Sequence, residues 1–378
     1  MSVSCSSEFP LLALDGGGVK GISSVLILDE IMDRVRTIEL RNNISTSTSP
    51  RKPADYFDLA AGTSTGGLIA LMLFRLRMDT RQCLEEYSTM ASKIFAPTFL
   101  GSRALGSMLG SVALMANVLW YGSKFSGVPL ENAITQVVEK YSQTTDPWRY
   151  NLVHPNSGMM FMCATVKEKG ESILLRSYPR PQDAGPVTRA AREETLVNGI
   201  DIVSAARATS AAPTYLPEEK WETANPNRPL VFWDGGVLNN NPIEQLWNAR
   251  YDLVERSKKP PMINLVLSIG CGWSENSKPS TFIRMLNIIR RFAETYLTNT
   301  EAKHRDFTRL ANRMQGRGDQ NNHVQYFRLN CPTGQLRFDM ADYKSMPKLK
   351  DLTAEYLTTD TEAAGWVNEI AELLASRE

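Results

Sequence analysis

One serine stands between two glycines in a pattern that is typical of enzymatic nucleophiles. The stretch GTSTG, residues 62–66, follows an apolar run and precedes a run of helical length. A tight strand-to-helix turn would lift the hydroxyl of Ser64 out of the backbone, and Gly62 and Gly66 would leave room for it because they carry no side chain. A helix beginning at Thr65 or Gly66 would offer free N–H groups to developing negative charge. The pattern predicts that Ser64 is a nucleophile, with a purely structural turn as the alternative.

A serine nucleophile needs a base, and the chain contains only three histidines. His154 precedes a proline, His304 lies in a charged helical stretch and His323 opens an apolar run, so none has surroundings typical of a catalytic triad. Asp234 instead follows the apolar run PLVFW and precedes two glycines. At the C-terminal edge of a parallel sheet it could face Ser64, and burial would raise its pKa toward that of a useful base. A role in the turn alone stays open for Asp234.

A second glycine-rich turn, DGGGVKG at 15–21, also matches the dinucleotide pattern G-x-G-x-x-G. A dinucleotide site needs an acidic residue about 20 positions later, at the end of a second strand. The nearest acid, Glu39, lies in a charged stretch that no apolar run precedes, and Asp15 would repel a phosphate. We therefore expect the backbone N–H groups of this turn to hold the single negative charge of a tetrahedral acyl intermediate, and not a nicotinamide dinucleotide.

The elements that must position these turns are visible as seven apolar runs of strand length. In chain order they are PLLALD, DYFDLAAG, MMFMCATV, SILLRSY, PLVFWDGG, INLVLSIGCG and HVQYFRLN, and amphipathic stretches of helical length separate many of them. This pattern predicts an α/β fold, a three-layer αβα sandwich with a mainly parallel central sheet. With 378 residues, the chain can bury a large core. We predict a single domain over 1–378, with its motifs at about 10–275 and a mostly helical packing scaffold at about 280–378.

One apolar insertion, at about 100–125, interrupts this order. Its central part, residues 104–123, contains no charged side chain and would be long enough, as a helix, to reach across a bilayer core. Several glycine and polar residues dilute its apolar character. A buried helix pair or lid, an element that dips into the membrane interface, and a true span remain the three alternatives, in that order of preference.

Composition excludes several classes of protein. The formal net charge of +1 gives no field that would attract nucleic acid, so we expect no nucleic-acid partner. Five scattered cysteines without CxxC pairs argue for a reducing compartment and against a disulfide framework or zinc site. The N-terminal residues lack the basic and apolar regions of a secretory signal, which leads us to expect a cytoplasmic protein. The sequence does not indicate an oligomeric state.

Three stretches taken together resemble the patatin-like phospholipase family: DGGGVKG at 15–21, GTSTG at 62–66 and DGG at 234–236. Two further stretches are also similar to the family, ATSAAPTYLP at 208–217 and LSIGCG at 267–272. The resemblance runs from about residue 10 to about residue 275. The remainder is more loosely similar to long fungal or calcium-independent phospholipase A2-like members.

The resemblance implies a Ser–Asp dyad acyl hydrolase on an αβα sandwich that needs neither histidine nor calcium and uses no cofactor. Carried over by position, Ser64 is the nucleophile, Asp234 the base, and backbone N–H groups around Gly16, Gly17 and Gly18 the oxyanion hole. The implied substrate is a phospholipid or another lipid ester, reached at a peripheral membrane surface. A neutral-lipid lipase, an acyl transferase with the same dyad and a lipid-binding protein without turnover are the alternatives.

Two departures from the family pattern concern the substrate more than the chemistry. Lys20 replaces the arginine that is more usual at that place, so a bidentate contact would be lost. Its ammonium could meet a lipid phosphate, or Lys20 could be a solvated surface lysine. Residues 104–123 are unusually apolar for the variable insertion that often lies near the family's active-site mouth, which leaves substrate size and membrane docking open.

Overall fold

The computed structural model describes most of the chain as strands, helices and short connections. The described residues are 8–95, 98–99, 102–103, 123–179, 197, 199–223, 229–254, 260–274, 287–315, 324–336 and 338–377. The strands are β1 Leu11–Leu14, β2 Leu59–Thr63, β3 Thr98–Phe99, β4 Ser102–Arg103, β5 Met160–Val166, β6 Glu171–Arg176, β7 Glu219–Trp221, β8 Leu230–Asp234, β9 Leu265–Ile269 and β10 Gln325–Leu329. The helices are α1 Gly21–Arg41, α2 Thr65–Ala70, α3 Thr80–Ile94, α4 Val128–Tyr141, α5 Ile202–Ser210, α6 Gly236–Asn239, α7 Ile243–Ala249, α8 Asn287–Gln315, α9 Met346–Thr359 and α10 Thr361–Ala375.

Eight of the described strands form one mixed sheet in the order β10-β9-β1-β2-β5-β8-β7, with β6 also paired to β5. The pairings from β10 through to β5 are all parallel. Those of β6, β7 and β8 are antiparallel. Each of the seven predicted runs overlaps one of these strands. The remaining two short strands, β3 and β4, pair only with each other.

Helices cover both faces of the sheet. Alternate residues of each strand point to opposite sides, so one strand contributes side chains to the core on each face. Along β1, Leu12 and Leu14 pack into one core, whereas Leu11 and Ala13 pack into a second. Helices α1, α3 and α10 contribute to the first core, and α7 and α8 to the second. The predicted three-layer α/β sandwich is therefore confirmed, with the sheet parallel over one half and antiparallel over the other.

Strand β5 brings two strands of opposite direction end to end. One edge of β5 is occupied along its length by β6, from Phe161 to Val166. The other edge is shared: β2 pairs with its first half, up to Cys163, and β8 pairs with its second half, from Ala164 onward. Since β2 and β8 run in opposite directions, their C-terminal ends meet at the junction between Cys163 and Ala164. The residues that follow these two strands must therefore lie close together.

The C-terminal part of the chain joins the fold rather than only packing against it. Strand β10 lies at one end of the main sheet, parallel to β9. Helices α9 and α10 pack on α1, the helix that follows the first glycine-rich turn. The last of the seven predicted runs, HVQYFRLN, thus places a strand of the main sheet within this otherwise mostly helical part.

The apolar insertion predicted at 104–123 lies outside the described residues, except for Ser123. Among the helices that are described, none is long and apolar enough to cross a membrane.

Candidate active site

Ser64 occupies the sharp turn that its neighbours predicted. It follows β2 directly and precedes α2, with φ 54° and ψ −125°, a conformation that non-glycine residues rarely adopt. A Cβ at Gly62 would lie 2.2 Å from the carbonyl oxygen of Gly66, and a Cβ at Gly66 would lie 2.3 Å from that of Leu14. Both distances are far below van der Waals contact with backbone atoms. The two glycines are therefore required by the turn, for the reason that the sequence pattern suggests.

The Ser64 hydroxyl donates a hydrogen bond to Asp234, with 2.6 Å between Oγ and Oδ2. The other oxygen of the carboxylate accepts the N–H of Gly236 at 2.7 Å. Ser64 is 6% exposed and Asp234 is fully buried. Burial raises the pKa of the Asp234 carboxyl to about 7, although the hydrogen bonds from Ser64 and Gly236 oppose the rise. The two residues thus form a pair in which the carboxylate could accept the serine proton near neutral pH.

The reason for this proximity differs from the expected one. Asp234 was predicted to lie at the C-terminal edge of a parallel sheet, but β8 runs antiparallel to β5. It faces Ser64 because β2 and β8 share one edge of β5 and end against each other. Asp234 therefore lies beside Ser64, but the prediction that it ends a parallel strand was wrong.

Neither of the two described histidines lies at the pocket that contains Ser64. His154 contacts the carboxylate of Asp146, with 2.8 Å between Nε2 and Oδ2. His304 lies on α8 and contacts the Tyr326 hydroxyl at 3.0 Å. His323 is outside the described residues.

Two of the three loop glycines predicted as oxyanion donors already donate their N–H groups within the protein. The N–H of Gly16 donates to the carbonyl of Asn240 at 3.0 Å, and that of Gly17 to Oγ1 of Thr65 at 3.1 Å. The Gly18 N–H has no acceptor among the described residues, and Gly18 lines the pocket beside Ser64. Of the three predicted donors, only the Gly18 N–H is therefore left without an acceptor within the described part of the protein.

The conformation of this loop depends on residues far away in the chain. Gly18 has a φ of 58°, and a Cβ there would lie 2.1 Å from the carbonyl oxygen of Met340. The same carbonyl accepts the N–H of Val19 at 2.8 Å, and the Tyr87 hydroxyl donates to the carbonyl of Gly18. A Cβ at Gly17 would lie 2.4 Å from the Cβ of Cys271. The loop is therefore enclosed on several sides by other elements.

The carboxylate of Asp15 is paired with Arg328. It would therefore not repel a phosphate in the loop, contrary to what the sequence had led us to expect. Arg328 of β10 binds its carboxylate through both oxygens, at 3.0 Å and 2.6 Å, and also donates to Oγ of Ser268 at 2.8 Å. Both members of the pair are buried. Burial disfavours the charge on Arg328, but the Asp15 carboxylate outweighs it and raises the pKa of the guanidinium. The pair neutralises Asp15 and ties the start of the loop to β10.

Residues that support Ser64 were missed in the sequence. Thr209 accepts the N–H of Ser64 at 3.0 Å through Oγ1 and donates to the carbonyl of Cys163 at 2.7 Å. The carbonyl of Asn239 accepts the hydroxyl of Thr63 at 2.6 Å. The signal was present, since Thr209 belongs to ATSAAPTYLP and Asn239 follows DGGVL, but neither pattern says which backbone group a side chain will bind.

A pocket of about 560 Å³, counting the part open to solvent, leads to the Ser64–Asp234 pair. Gly18, Thr65 and Ser210 also line its polar end. The rest of the described lining is apolar or aromatic and comes from α2, α3 and the residue after it, α4, the segment after α5 and the segment before α9: Leu68, Tyr87, Met90, Ala91, Ile94, Phe95, Leu130, Ala212, Tyr215, Leu216 and Met340. Such a lining fits a hydrocarbon chain ending in one polar group.

Lys20 matches neither of its two expected roles. It is half-buried and does not line the pocket. Burial lowers the pKa of its ammonium, while Cys271, Asp339 and Asp15 oppose that change. The structure therefore gives no support for a lipid phosphate at Lys20, and Lys20 is not a fully solvated lysine.

Comparison with known proteins gives the same class of protein as the fold and the site. The family model described as patatin-like phospholipase matches residues 12–247. The chain belongs to the patatin-like phospholipase family.

Individual relatives are distant in sequence. Patatin-like protein 2 of Oryza sativa subsp. indica is 28% identical over 291 residues, which cover 71% of this chain and 62% of that protein. The 85/88 kDa calcium-independent phospholipase A2 of Rattus norvegicus is 26% identical over 282 residues, 70% of this chain and 27% of that protein. Patatin-like phospholipase 1 of Plasmodium falciparum (isolate NF54) is 26% identical over 368 residues, 92% of this chain and 47% of that protein. The chain thus spans less than two thirds of the length of each.

Proposed function

We propose that this protein is a lipid acyl hydrolase of the phospholipase A type that cleaves ester bonds of membrane phospholipids through a Ser64–Asp234 dyad. The observation that carries the proposal is the 2.6 Å hydrogen bond from Ser64 Oγ to a buried carboxylate at the end of an apolar pocket. Membership of the patatin-like phospholipase family supports the reaction class.

The first half of the reaction forms an acyl-enzyme. Oγ of Ser64 attacks the ester carbonyl carbon while its proton passes to Oδ2 of Asp234. The Gly18 N–H and the first free N–H groups of α2, which begins at Thr65, then face the oxygen that becomes negative. The bond to the alkoxy oxygen breaks, and Asp234 returns the proton to that oxygen as the lysolipid leaves.

The second half releases the fatty acid. Water attacks the acyl carbon and gives a proton to Asp234, the bond to Ser64 Oγ breaks, and the proton returns to Ser64. A carboxyl whose pKa lies at about 7 suits both directions of transfer, because it is neither too weak a base nor too weak an acid near neutral pH.

The apolar lining of the pocket supports an acyl chain as the group bound during catalysis. Helix α3 and the residue that follows it supply one apolar wall, through Met90, Ile94 and Phe95 among others, and Met340 and Leu216 belong to the remaining lining. A small polar substrate would leave these apolar side chains in contact with water. A lipid chain removes it from water and gains about 25 cal/mol for each Å² of apolar surface buried.

Labelling with a fluorophosphonate tests the nucleophile directly. We expect one adduct on Ser64, hydrolysis of phosphatidylcholine vesicles by the same preparation, and unchanged hydrolysis in the presence of a calcium chelator. The matched Ser64→Ala variant should be neither labelled nor active, with an unchanged melting temperature. A panel containing triacylglycerol and an alcohol acceptor separates a neutral-lipid lipase and an acyl transferase. Absence of labelling in the parent protein, or full activity in Ser64→Ala, would overturn the proposal.

A further inference from the structure

Ser210 carries a hydroxyl that has no hydrogen-bond partner although the residue is only 5% exposed. It is the last residue of α5 and lines the pocket together with Ser64 and Asp234. The other hydroxyls of the described lining all have partners. Ser64 donates to Asp234, Thr65 accepts from Gly17, Tyr87 donates to Gly18 and Tyr215 donates to Asp339.

The backbone on both sides of Ser210 is tied to the dyad. Thr209 accepts the N–H of Ser64 through its hydroxyl at 3.0 Å and the N–H of Gly235 through its carbonyl at 3.3 Å. The carbonyl of Ala211 accepts the N–H of Asp234 at 2.9 Å. Ser210 is therefore held at a fixed place beside the base, within the same pocket.

A buried hydroxyl without a partner is costly in a free protein, since it has lost its hydrogen bonds to water and gained none. At this position alanine would fill nearly the same space without that cost. Unpaired groups of this kind are expected where a bound molecule completes the hydrogen bond. The location at the polar end of an otherwise apolar pocket points to the ester group of a substrate.

We propose that the Ser210 hydroxyl binds the alkoxy oxygen of the ester as it leaves, and the water that later takes its place; this inference rests on the function proposed above. When the bond from the acyl carbon to the alkoxy oxygen breaks, the electron pair stays on that oxygen and Asp234 supplies the proton. Ser210 donates a hydrogen bond to the same oxygen and transfers no proton. Water attacks along the reverse path, so it occupies the same position, where the hydroxyl can also accept its second hydrogen.

The other oxygen that the Ser210 hydroxyl could bind is the carbonyl oxygen of the ester, but other groups are available to stabilise it. In the reaction proposed above, its negative charge is assigned to the N–H groups at Gly18 and at the start of α2. Ser210 lies in the segment that is bonded to Asp234 and Gly235, on the side of the base that must return a proton to the leaving oxygen. Neither described histidine lines this pocket, so the described residues offer the leaving oxygen no imidazole donor there.

Two esters with the same acyl chain distinguish this role from a structural one. A p-nitrophenyl ester leaves without help, whereas a glycerol ester needs its oxygen stabilised. We expect Ser210→Ala to lower kcat/KM for the glycerol ester by about 10- to 100-fold and that for the p-nitrophenyl ester by less than about 3-fold. Its melting temperature should be unchanged or higher, because an unpaired hydroxyl has been removed.

Thr214→Val is the matched control. Thr214 also has a buried hydroxyl without a partner, but it does not belong to the pocket lining, and valine is equally β-branched at its positive φ of 71°. This variant should keep the parent ratio of the two kcat/KM values. Equal losses on both esters in Ser210→Ala, no loss on either, or a lower melting temperature would overturn the role of Ser210. A parent protein that hydrolyses neither ester, or a Ser64→Ala variant that hydrolyses both, would instead overturn the proposed function.

Discussion

The two glycine-rich turns of the site are built in different ways. The turn at Ser64 depends on its own glycines, since a Cβ at Gly62 would collide with the carbonyl of Gly66. The turn at Gly16–Val19 depends on distant residues, because Asn240, Thr65 and Met340 accept hydrogen bonds from the N–H groups of Gly16, Gly17 and Val19. A local turn is encoded within a few residues. A turn held by long-range contacts is encoded over the whole chain, so the two should fail for different reasons when they are altered.

Removing the base should give the largest effect. Asp234→Asn keeps the shape of the side chain but cannot accept the Ser64 proton, so we expect kcat to fall by about 1,000-fold or more. The free energy of unfolding of Asp234→Asn, in contrast, should be higher than that of the parent. The folded protein holds the Asp234 proton more tightly than the unfolded chain, so the parent loses stability as pH rises through about 7. Denaturant unfolding at pH 5 and pH 8 should therefore show an advantage for Asp234→Asn that grows with pH.

Activity of the parent protein checks the same assignment. If the carboxylate form of Asp234 is the base, as proposed, kcat/KM should fall about tenfold for each pH unit below about 7. A flat profile from pH 5 to 8 would contradict the assignment, as would an Asp234→Asn variant that retains the parent rate.

The long-range turn should break from a site far away in sequence. Arg328→Met leaves Asp15 as a buried charge without its partner, and we expect the free energy of unfolding to fall by about 3–5 kcal/mol. Since the Asp15 backbone begins the glycine loop, kcat should fall as well. The double variant Asp15→Asn with Arg328→Met should regain most of the stability, because no unpaired charge remains. If the single and double variants unfold at the same denaturant concentration, the ion pair is not what ties the loop to β10.

A substitution within the turn at Ser64 should distort that turn directly. A Cβ at Gly66 has no space, with 2.3 Å to the Leu14 carbonyl oxygen, so Gly66→Ala must shift the backbone beside Ser64. A shift of about 1 Å at a nucleophile is expected to cost about 100-fold in kcat. Gly365→Ala is the matched control, since it lies in α10 with nothing within 4 Å of the added Cβ. That variant should keep full activity and gain about 0.5–1 kcal/mol of stability.

The smallest effect is expected at Thr209, whose hydroxyl links the backbone of Ser64 to that of Cys163. Thr209→Val removes the acceptor of the Ser64 N–H and the donor to Cys163, which should cost about 1–3 kcal/mol of unfolding free energy. Thr209→Ser keeps the hydroxyl and should restore most of the loss. Thermal unfolding of the two variants side by side measures this difference, and equal losses would show that the methyl group matters rather than the hydrogen bonds.

Much of the architecture could be predicted from apolar periodicity alone. Each of the seven runs marks a strand. The central strands β1, β2, β5 and β9 are buried at every position, and such strands have few polar side chains. The direction of β8 could not be predicted in this way, since an apolar run reads the same in a parallel and an antiparallel strand. The expectation of a parallel edge at Asp234 was wrong for that reason.

The sequence by itself determined the turn at Ser64 and offered Asp234 as a candidate partner. Glycine spacing specifies the turn because the clashes that would forbid it lie within a few residues or on the adjacent strand. Only the tertiary structure decided that β2 and β8 end against each other, that Arg328 neutralises Asp15, and that Gly18 keeps the available N–H. These outcomes depend on hydrogen bonds and ion pairs between residues more than 150 positions apart along the chain. Partners of that kind are selected by the packing of the sheet and leave no local pattern.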